Sequence, residues 1–261
     1  MKARRLELVA PVLVGVAFLI GWEAVVRING IPPYILPGPL LVAETLWRDG
    51  PSLLGSLLVT LRITAAALLA AIVLGGAIAV LFAQSRLLEI SLFPYAVILQ
   101  VTPIVSIAPL IIIWVNDTFL ALLVCAWIVA FFPVVANTTL GLNSADRNLA
   151  DLFRLYGASR WQTLRHLRLP AALPYFLAGV RISGGLALIG AVVAEFVAGT
   201  GGSETGLAYR ILEAGYRLQI PRLFAALLLL SAAGIAIFAA LSWLTQRLIG
   251  HWHESALPRE E

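Results

Sequence analysis

Six long apolar runs constrain the fold of this chain more than any other feature of its sequence. A membrane-spanning helix needs about 20 residues to cross the ~30 Å hydrocarbon layer, and its backbone polar groups must be satisfied within the helix. Only 12% of the residues are charged and 61% are hydrophobic, which excludes an ordinary soluble globular fold. The sequence therefore predicts an all-α polytopic membrane protein with six transmembrane helices in one transmembrane domain, 1–261. The helices are expected at residues 8–28, 56–83, 90–115, 118–142, 176–198 and 222–249.

The basic residues predict the orientation of these helices. Of the 18 Lys and Arg residues, 12 fall on the side of both termini and 6 on the other side. Because cytoplasmic loops carry an excess of positive charge, this distribution favours N-in and C-in. The first run is longer than the ~7–15-residue core of a signal peptide and no cleavage site follows it, so it is interpreted as an uncleaved helix. Glu23 and Arg27 are expected to pair near the outer end of this helix.

Prolines mark two interruptions of the apolar pattern. The segment 29–39 contains four prolines and is expected to lie outside the membrane, followed by a short surface helix at 40–48. The third run contains Pro94, Pro103 and Pro109, each of which removes a backbone donor and bends a helix. Such bends are tolerated where a cavity or neighbouring protein satisfies the freed carbonyl groups, so this run is predicted to be a pore-lining helix. Its candidate translocation-path residues are Gln100, Thr102, Pro103 and Ser106.

Glu195 lies inside the fifth apolar run, where an ionisable side chain is costly and indicates a functional site. It is therefore a further candidate for the translocation path. The alternative is that its side chain lies near the outer end of the helix, where it is hydrated or hydrogen-bonded to a neighbouring helix. A carboxylate in the path would repel an anionic solute, which favours this alternative for such solutes.

The sequence contains no pattern for catalysis. Its single lysine, Lys2, has no glycine-rich turn around it, which excludes a Walker-type phosphate-binding loop. His166, His251 and His253 lack metal-ligand spacing, and Cys125 lies in an apolar run, as expected for a packing residue. We therefore predict no catalytic, cofactor-binding or metal site and no nucleic acid partner. If ATP drives transport, another polypeptide must hydrolyse it.

A polar interval at about residues 143–175 contains five arginines and two potential helices. Asn143 or Ser144 can cap the first helix. Gly157 can adopt a positive φ and is predicted to end this helix. The apolar residues of the first helix share one face at i, i+3, i+4 and i+7: Leu149, Leu152, Phe153 and Tyr156.

A second helix is predicted to begin at Ser159, which forms a capping-box pattern with Gln162, and to stop at Pro170. Its apolar residues are Trp161, Leu164 and Leu167. The two capped helices would form a fixed elbow around Gly157. The elbow can lie on anionic lipid, attracted by its arginines, or insert into a groove of a partner protein. The rigid glycine turn between two caps favours the shaped contact.

The loop resembles the E-A-A-x-x-x-G motif, followed by nine residues and I-x-L-P, of permease subunits of binding-protein-dependent ABC importers. Gly157 takes the glycine position, nine residues follow, and 167–170 takes the I-x-L-P position. Asp151 preserves the acid of the motif, whereas Leu152 and Phe153 replace its two small residues. The resemblance implies a contact with an ATPase. The residues expected in it are Asp151, Leu152, Phe153, Gly157, Ala158, Ser159, Trp161, Leu167, Leu169 and Pro170.

Two further segments are similar to the nitrate, sulfonate and taurine subgroup of this family. They are the third run, with Pro103, Pro109-Leu110 and Trp114, and the segment with Ala194-Glu195-Phe196 and Gly206-Leu207. Similar permeases serve uptake of thiamine precursors and riboflavin. The resemblance implies a solute that is either a sulfonate-, nitrate- or taurine-like anion or a vitamin-like heterocycle.

The same resemblance implies the type I ABC importer permease fold, in a bacterial inner membrane. The expected partners are a second permease copy in a homodimer, two ATP-binding cassette subunits that hold ATP-Mg, and an extracytoplasmic solute-binding protein. The chain itself would be a non-catalytic subunit and the loop its coupling helix. The residues alone leave open a self-contained secondary transporter or channel, although the chain lacks the internal repeat of many secondary transporters.

Overall fold

The computed structural model describes residues 2–199 and 205–250, and every regular element in this part of the chain is helical. The α-helices are α1 (Lys2–Ile28), α2 (Pro39–Gln84), α3 (Arg86–Val101), α4 (Ile104–Trp114), α5 (Thr118–Asn143), α6 (Arg147–Leu155), α7 (Arg160–Thr163), α8 (Leu169–Ala198), α9 (Leu207–Tyr216) and α10 (Ile220–Ile249). A π-helical turn, Leu164–Arg168, joins α7 to α8. His251 and His253 lie outside the described residues.

Five of the described helices are long and apolar enough to cross a membrane, and the number is six if the bent pair of α3 and α4 is one span. This confirms the predicted fold class. The predicted pair of Glu23 and Arg27 forms near the end of α1, and the Glu23 carboxylate also accepts the backbone N–H of Leu40 at 3.3 Å. The N-in, C-in orientation and the single domain remain predictions.

The second span differs from the prediction, because the surface helix expected at 40–48 and the span expected at 56–83 are one 46-residue helix, α2. Pro51 lies inside it but does not end it. The reason is packing on both sides of the proline: Val42 and Leu53 belong to one buried cluster, together with Leu207. A proline bends a helix rather than ending it when tertiary contacts hold both segments in place.

The third span is also different, because the single bent helix expected at 90–115 is broken into α3 and α4, with an angle of 100° between them. Pro103 is the N-cap of α4. A proline disfavours helical backbone at the residue before it, and Thr102 accordingly has φ −71° and ψ 122°. The Thr102 side chain then satisfies the end of α3 by donating to the Ile98 carbonyl at 2.7 Å.

The described residues divide into two compact units. The first comprises the described parts of Met1–Val59 and Gly201–Ser231, and the second those of Thr60–Thr200 and Ala232–Glu261. In the first unit, α9 packs its apolar face into a core with residues of α2 and α10. The helices expected from the sequence do not include α9, although Leu207, Ile211 and Ala214 fall at i, i+4 and i+7, the spacing of one helical face.

The second unit is built around the contact of α5 with α8, and α4 packs against both. Glycines permit the close approach of α5 and α8. A Cβ atom at Gly190 would lie 2.8 Å from the Ala126 Cα, and one at Gly179 would lie 2.7 Å from the Pro133 carbonyl oxygen. Small residues at helix interfaces are typical of membrane proteins, because backbones must approach closely to gain packing energy.

Candidate functional site

The first helix of the polar loop, α6, is capped by Asp146. The carboxylate accepts the N–H groups of Asn148 at 2.7 Å and Leu149 at 3.3 Å. The prediction that Asn143 or Ser144 caps this helix is wrong, because both residues belong to the end of α5. Ser144 is the C-cap residue of α5, and its hydroxyl donates to the Gly141 carbonyl at 2.8 Å. Three residues of the N-cap type within four positions made this choice ambiguous from sequence.

Gly157 ends the chain reversal after α6 with a φ of +69°, which confirms the predicted positive φ. The N–H of Ala158 bonds to the Phe153 carbonyl at 2.9 Å and that of Gly157 to the Arg154 carbonyl at 3.0 Å, so the last carbonyls of α6 are satisfied. A Cβ atom at Gly157 would meet nothing within 4 Å. The backbone conformation, and not a lack of space, therefore requires glycine here.

The capping box at the start of α7 is confirmed. The Ser159 N–H donates to the Gln162 side-chain oxygen at 2.7 Å, and the Gln162 N–H donates to the Ser159 hydroxyl oxygen at 3.2 Å. Two orphan donors of the first turn are thus satisfied reciprocally. Caps at both ends and a fixed glycine turn define the elbow, by which we mean residues 147–163.

The second helix does not stop at Pro170, contrary to the prediction. It continues through the π-helical turn into α8, so that Arg160–Ala198 is one span of 39 residues. Within the turn, the Leu169 N–H bonds to the Leu164 carbonyl, five residues back. The wider turn relieves the clash that a proline ring makes with the carbonyl four residues before it. The elbow is therefore one short helix joined to the first turns of a span.

This continuity changes the position of two apolar residues that were expected at the surface of the elbow. Leu164 and Leu167 are buried, and Leu164 packs with Ala79, Leu142 and Ala172 at the ends of α2, α5 and α8. Of the residues expected to contact an ATPase, Leu167 is thus the one that lies inside the chain. Phe153 and Ala158 are half-buried. The exposed members are Asp151, Leu152, Gly157, Ser159, Trp161, Leu169 and Pro170.

The elbow leaves an apolar surface exposed. No residue of α6 is buried, and its leucines are 45% exposed at Leu152 and 84% exposed at Leu155. Beyond the glycine turn, Trp161 is 64% exposed. Asp151 and Arg154 form an exposed ion pair of 3.2 Å beside this surface. A capped amphipathic helix with an uncovered apolar face can bind a partner of complementary shape.

The candidate path residues fall in two places within the second unit. Thr102 and Pro103 form the break between α3 and α4, with Gln100 and Ser106 exposed on either side of it. Glu195 lies in the last turn of α8 and is 3% exposed. This burial is inconsistent with a hydrated side chain at the chain surface. Two of the interpretations given above are left: a carboxylate that is hydrogen-bonded to a neighbouring helix, or one that belongs to the translocation path. Among the described residues, no group of three His, Cys, Asp or Glu side chains lies together.

Most of the chain matches the model of a known protein family. Residues 67–250 match the family described as "Binding-protein-dependent transport system inner membrane component". The match includes the elbow, the π-helical turn, the α3–α4 break and Glu195.

Relatives of the chain include two named transport permeases, and the chain is also similar to a solved structure. The riboflavin transport system permease protein of Chloroflexus aurantiacus is 35% identical, over 91% of this chain and 87% of the relative. A permease of Bacillus subtilis named for aliphatic sulfonate transport is 31% identical, over 87% of this chain and 79% of the relative. The crystal structure of an amino acid ABC transporter with histidines shares the fold, with a TM-score of 0.64, 18% identity, and coverage of 78% of this chain and 98% of that one.

Proposed function

Because the chain belongs to the family of inner membrane components of binding-protein-dependent transport systems, we propose that its elbow is the surface through which a separate ATPase drives solute import. The observation that carries this proposal is the exposed apolar face of a helix that is rigidly capped at both ends. The chain is a multi-pass inner membrane protein, and in this proposal it is a non-catalytic subunit that receives mechanical work.

The exposed apolar residues supply the binding energy of the docking contact. Complete burial of an exposed leucine side chain contributes about 1.5–3 kcal/mol of favourable free energy. Leu152 and Leu155 of α6 are both exposed. Trp161 adds a large aromatic anchor, the residue type that most often dominates protein interfaces. The larger side chains at Leu152 and Phe153, where the motif that the loop resembles has two small residues, would select an ATPase with a wider groove.

The connection of the elbow to α8 explains how force at the elbow can reach the membrane. α7, the π-helical turn and α8 form one continuous span, so that a displacement of the elbow moves the span that carries Glu195. Leu164 and Leu167 anchor the base of the elbow in the core, and the Arg168 guanidinium donates to the Ala83 carbonyl at the end of α2, at 2.8 Å. A rigid base is needed, because a flexible joint would dissipate the displacement.

We assign the partners by the same family relation. The assembly would contain a second copy of this permease as a homodimer, two ATP-binding cassette subunits that hold ATP-Mg, and an extracytoplasmic solute-binding protein. The elbow then faces the cytoplasm, with N-in and C-in termini. Closure of the ATPase dimer would draw the two elbows together and open the path outward, which is alternating access driven from outside this chain.

The solute path would pass the α3–α4 break, where Gln100, Thr102, Pro103 and Ser106 lie. For a vitamin-like heterocycle, Glu195 would be its acidic member, whereas for an anionic solute Glu195 would lie outside the path. The proposed solute is a small sulfonate-like anion or a vitamin-like heterocycle, the two classes named for the relatives. The side chains at the break carry uncharged hydroxyl and amide groups. Such groups bind a solute weakly enough to release it, whereas tight binding would stop transport.

The experiment replaces Gly157, the residue at the fixed turn of the elbow. Gly157→Leu forces a branched residue into a φ of +69°, at a cost of about 1–2 kcal/mol for left-handed backbone. We expect the variant to insert in the membrane, with at least a tenfold loss of solute-dependent ATPase activity in the reconstituted complex. The matched control is Gly157→Asn, because asparagine tolerates left-handed backbone, and it should retain most of the activity. Full activity of Gly157→Leu would contradict the docking role.

A further inference from the structure

A cavity of about 650 Å³ lies beside the elbow, between the end of α2 and the α6–α7 segment. We call this cavity the arginine pocket, because its lining includes four arginines: Arg86, Arg154, Arg160 and Arg168. Gln84, Ser85 and Thr163 add polar side chains, and none of the described lining residues is acidic. The residues expected to contact an ATPase contribute one member to it, Ala158. The docking role of the elbow therefore leaves these arginines unexplained.

The arginine pocket carries an excess of positive charge. Arg154 pairs with Asp151 at 3.2 Å and Arg86 pairs with Glu89 at 2.9 Å, and neither acid is among the described lining residues. Within the part of the chain that the structure describes, Arg168 donates only to a neutral backbone carbonyl, that of Ala83. The side chain of Arg160 has no hydrogen-bond or ion-pair partner among residues 2–199 and 205–250. Two guanidinium groups of the pocket thus form no ion pair within the described residues, and guanidinium groups bind phosphate oxygens in bidentate geometry.

The position of the pocket along the spans corresponds to the headgroup region of a bilayer. Gln84 is the last residue of α2, Arg86 is the first residue of α3, and Arg160 opens the long span that ends at Ala198. Apolar helices leave the hydrocarbon at these ends. Basic pockets between membrane helices at this depth bind the headgroups of anionic lipids.

An apolar groove lies about one turn before the arginine pocket on the same face of α2. Gly76 and Val80 line the groove, and Gln84, four residues after Val80, lines the arginine pocket. The groove has a volume of about 640 Å³, and its other wall consists of apolar residues of α8 such as Leu173, together with Arg165 of the π-helical turn. A ligand with a phosphate and a long alkyl chain fits this pair of cavities, whereas free phosphate would leave the groove empty. Acidic side chains of a protein would leave it empty as well.

We propose that the arginine pocket binds the phosphate of one anionic phospholipid, with an acyl chain of that lipid in the groove between α2 and α8. The bound lipid bridges the end of α2 and the base of the elbow, where Arg160 and Arg168 lie. The lipid therefore stabilises the position of the elbow relative to α2, in which the apolar face of α6 is exposed to a partner.

The test is native mass spectrometry of the purified full chain in neutral detergent, titrated with phosphatidylglycerol or phosphatidylcholine of the same chain length. We expect one phosphatidylglycerol to be retained, with at least a tenfold preference over phosphatidylcholine. Arg86→Gln with Arg160→Gln should lower this affinity at least tenfold. The control, Arg181→Gln with Arg247→Gln, removes the same charge at two arginines that stack on Phe238 and Trp243, and it should retain the lipid.

A second variant tests the groove while keeping all arginines. In Gly76→Leu, a Cβ atom lies 3.8 Å from the Phe176 ring, so the side chain fits and occupies the groove. We expect weaker binding of long-chain but not of short-chain phosphatidylglycerol. Equal binding by the Arg86/Arg160 variant and the wild type would overturn the proposal, as would complete displacement of the lipid by millimolar inorganic phosphate. Absence of the lipid from the complex with the ATPase would also overturn it, because the arginines would then contact the ATPase.

Discussion

α6 and α9 are both short amphipathic helices outside the apolar spans, yet they use their apolar faces in opposite ways. α9 buries Leu207, Ala208, Ile211 and Ala214 in the core of the first unit. In α6 no residue is buried, and Leu152 and Leu155 are exposed. The helical period is the same in both. What differs is whether the chain itself supplies the surface that covers the apolar face.

The charges of the two helices repeat this difference. On α9, Glu213 accepts from Arg210 at 2.9 Å and pairs with Arg217 at 3.0 Å, while Arg210 also donates to Ser56 at 3.2 Å. On α6, Asp151 and Arg154 form an exposed pair with no further ion pair in the described residues. α9 is thus complete within its own unit. α6 is rigid and capped but uncovered, which is the condition expected of a docking element.

The largest difference expected between α9 and α6 is in the effect of a substitution on stability. Leu207→Ala removes a fully buried side chain from the core of the first unit and should lower the free energy of unfolding by about 2–5 kcal/mol. Leu152→Ala makes the same change on α6 and should stay within about 0.5 kcal/mol of the wild type, because an exposed leucine leaves no cavity. Thermal unfolding of the detergent-solubilised chain measures both. Similar losses in the two variants would show that α6 is covered within the chain.

A smaller effect is expected on partner binding. Leu152→Asp places a charge on the exposed face of α6 and should weaken the association with the ATPase at least tenfold, about 1.4 kcal/mol, without lowering the unfolding temperature. The matched control on α9 is Tyr216→Asp, at a residue that is 82% exposed. It should leave the association unchanged. Co-purification with a tagged ATPase is the measurement, and equal association of the two variants would remove the distinction between α6 and α9.

Much of this architecture could be predicted from sequence, because long apolar runs have few structural solutions in a membrane. The elbow was predictable where local chemistry decides, as in the positive φ of Gly157 and the capping box of Ser159 and Gln162. Several of the errors lie at prolines. Pro170 was expected to end a helix and lies within a continuous one, since a π-helical turn absorbs its local cost. Pro51 lies between the surface helix expected at 40–48 and the span expected at 56–83, yet packing of distant residues keeps α2 continuous through it. Pro103 was expected only to bend a helix and instead begins a new one.

The covered apolar face of α9 was missed for the same physical reason. Nothing in its own residues says that Val42 and Leu53, more than 150 positions earlier in the sequence, will complete the core around it. The same limit applies to α6, whose apolar face is equally regular in sequence. Whether such a face is buried or exposed is a property of tertiary structure, so the sequence alone does not distinguish the buried face of α9 from the exposed face of α6.

The smallest predicted effect is a pH dependence confined to α9. The hydrogen bond from Arg210, followed by the positive charges of Arg217 and Arg222, holds the pKa of Glu213 below its ordinary value of 4.5. A carboxyl group whose pKa is lower in the folded state contributes stability above its unfolded pKa and loses it as the pH falls through the folded pKa. The unfolding temperature should therefore drop below about pH 4.5 more steeply in the wild type than in Glu213→Gln.

The matched variant for this measurement is Asp151→Asn, which neutralises the carboxylate of the exposed pair on α6. It should keep the steep acid limb of the wild type, because the contribution of Glu213 is intact and a solvent-exposed ion pair contributes at most about 1 kcal/mol. At neutral pH, Glu213→Gln should be the less stable of the two variants, since it leaves two arginines of the first unit without their shared acid. The reverse order, or parallel acid limbs in Glu213→Gln and the wild type, would mean that the charges of α9 are no better compensated than those of α6.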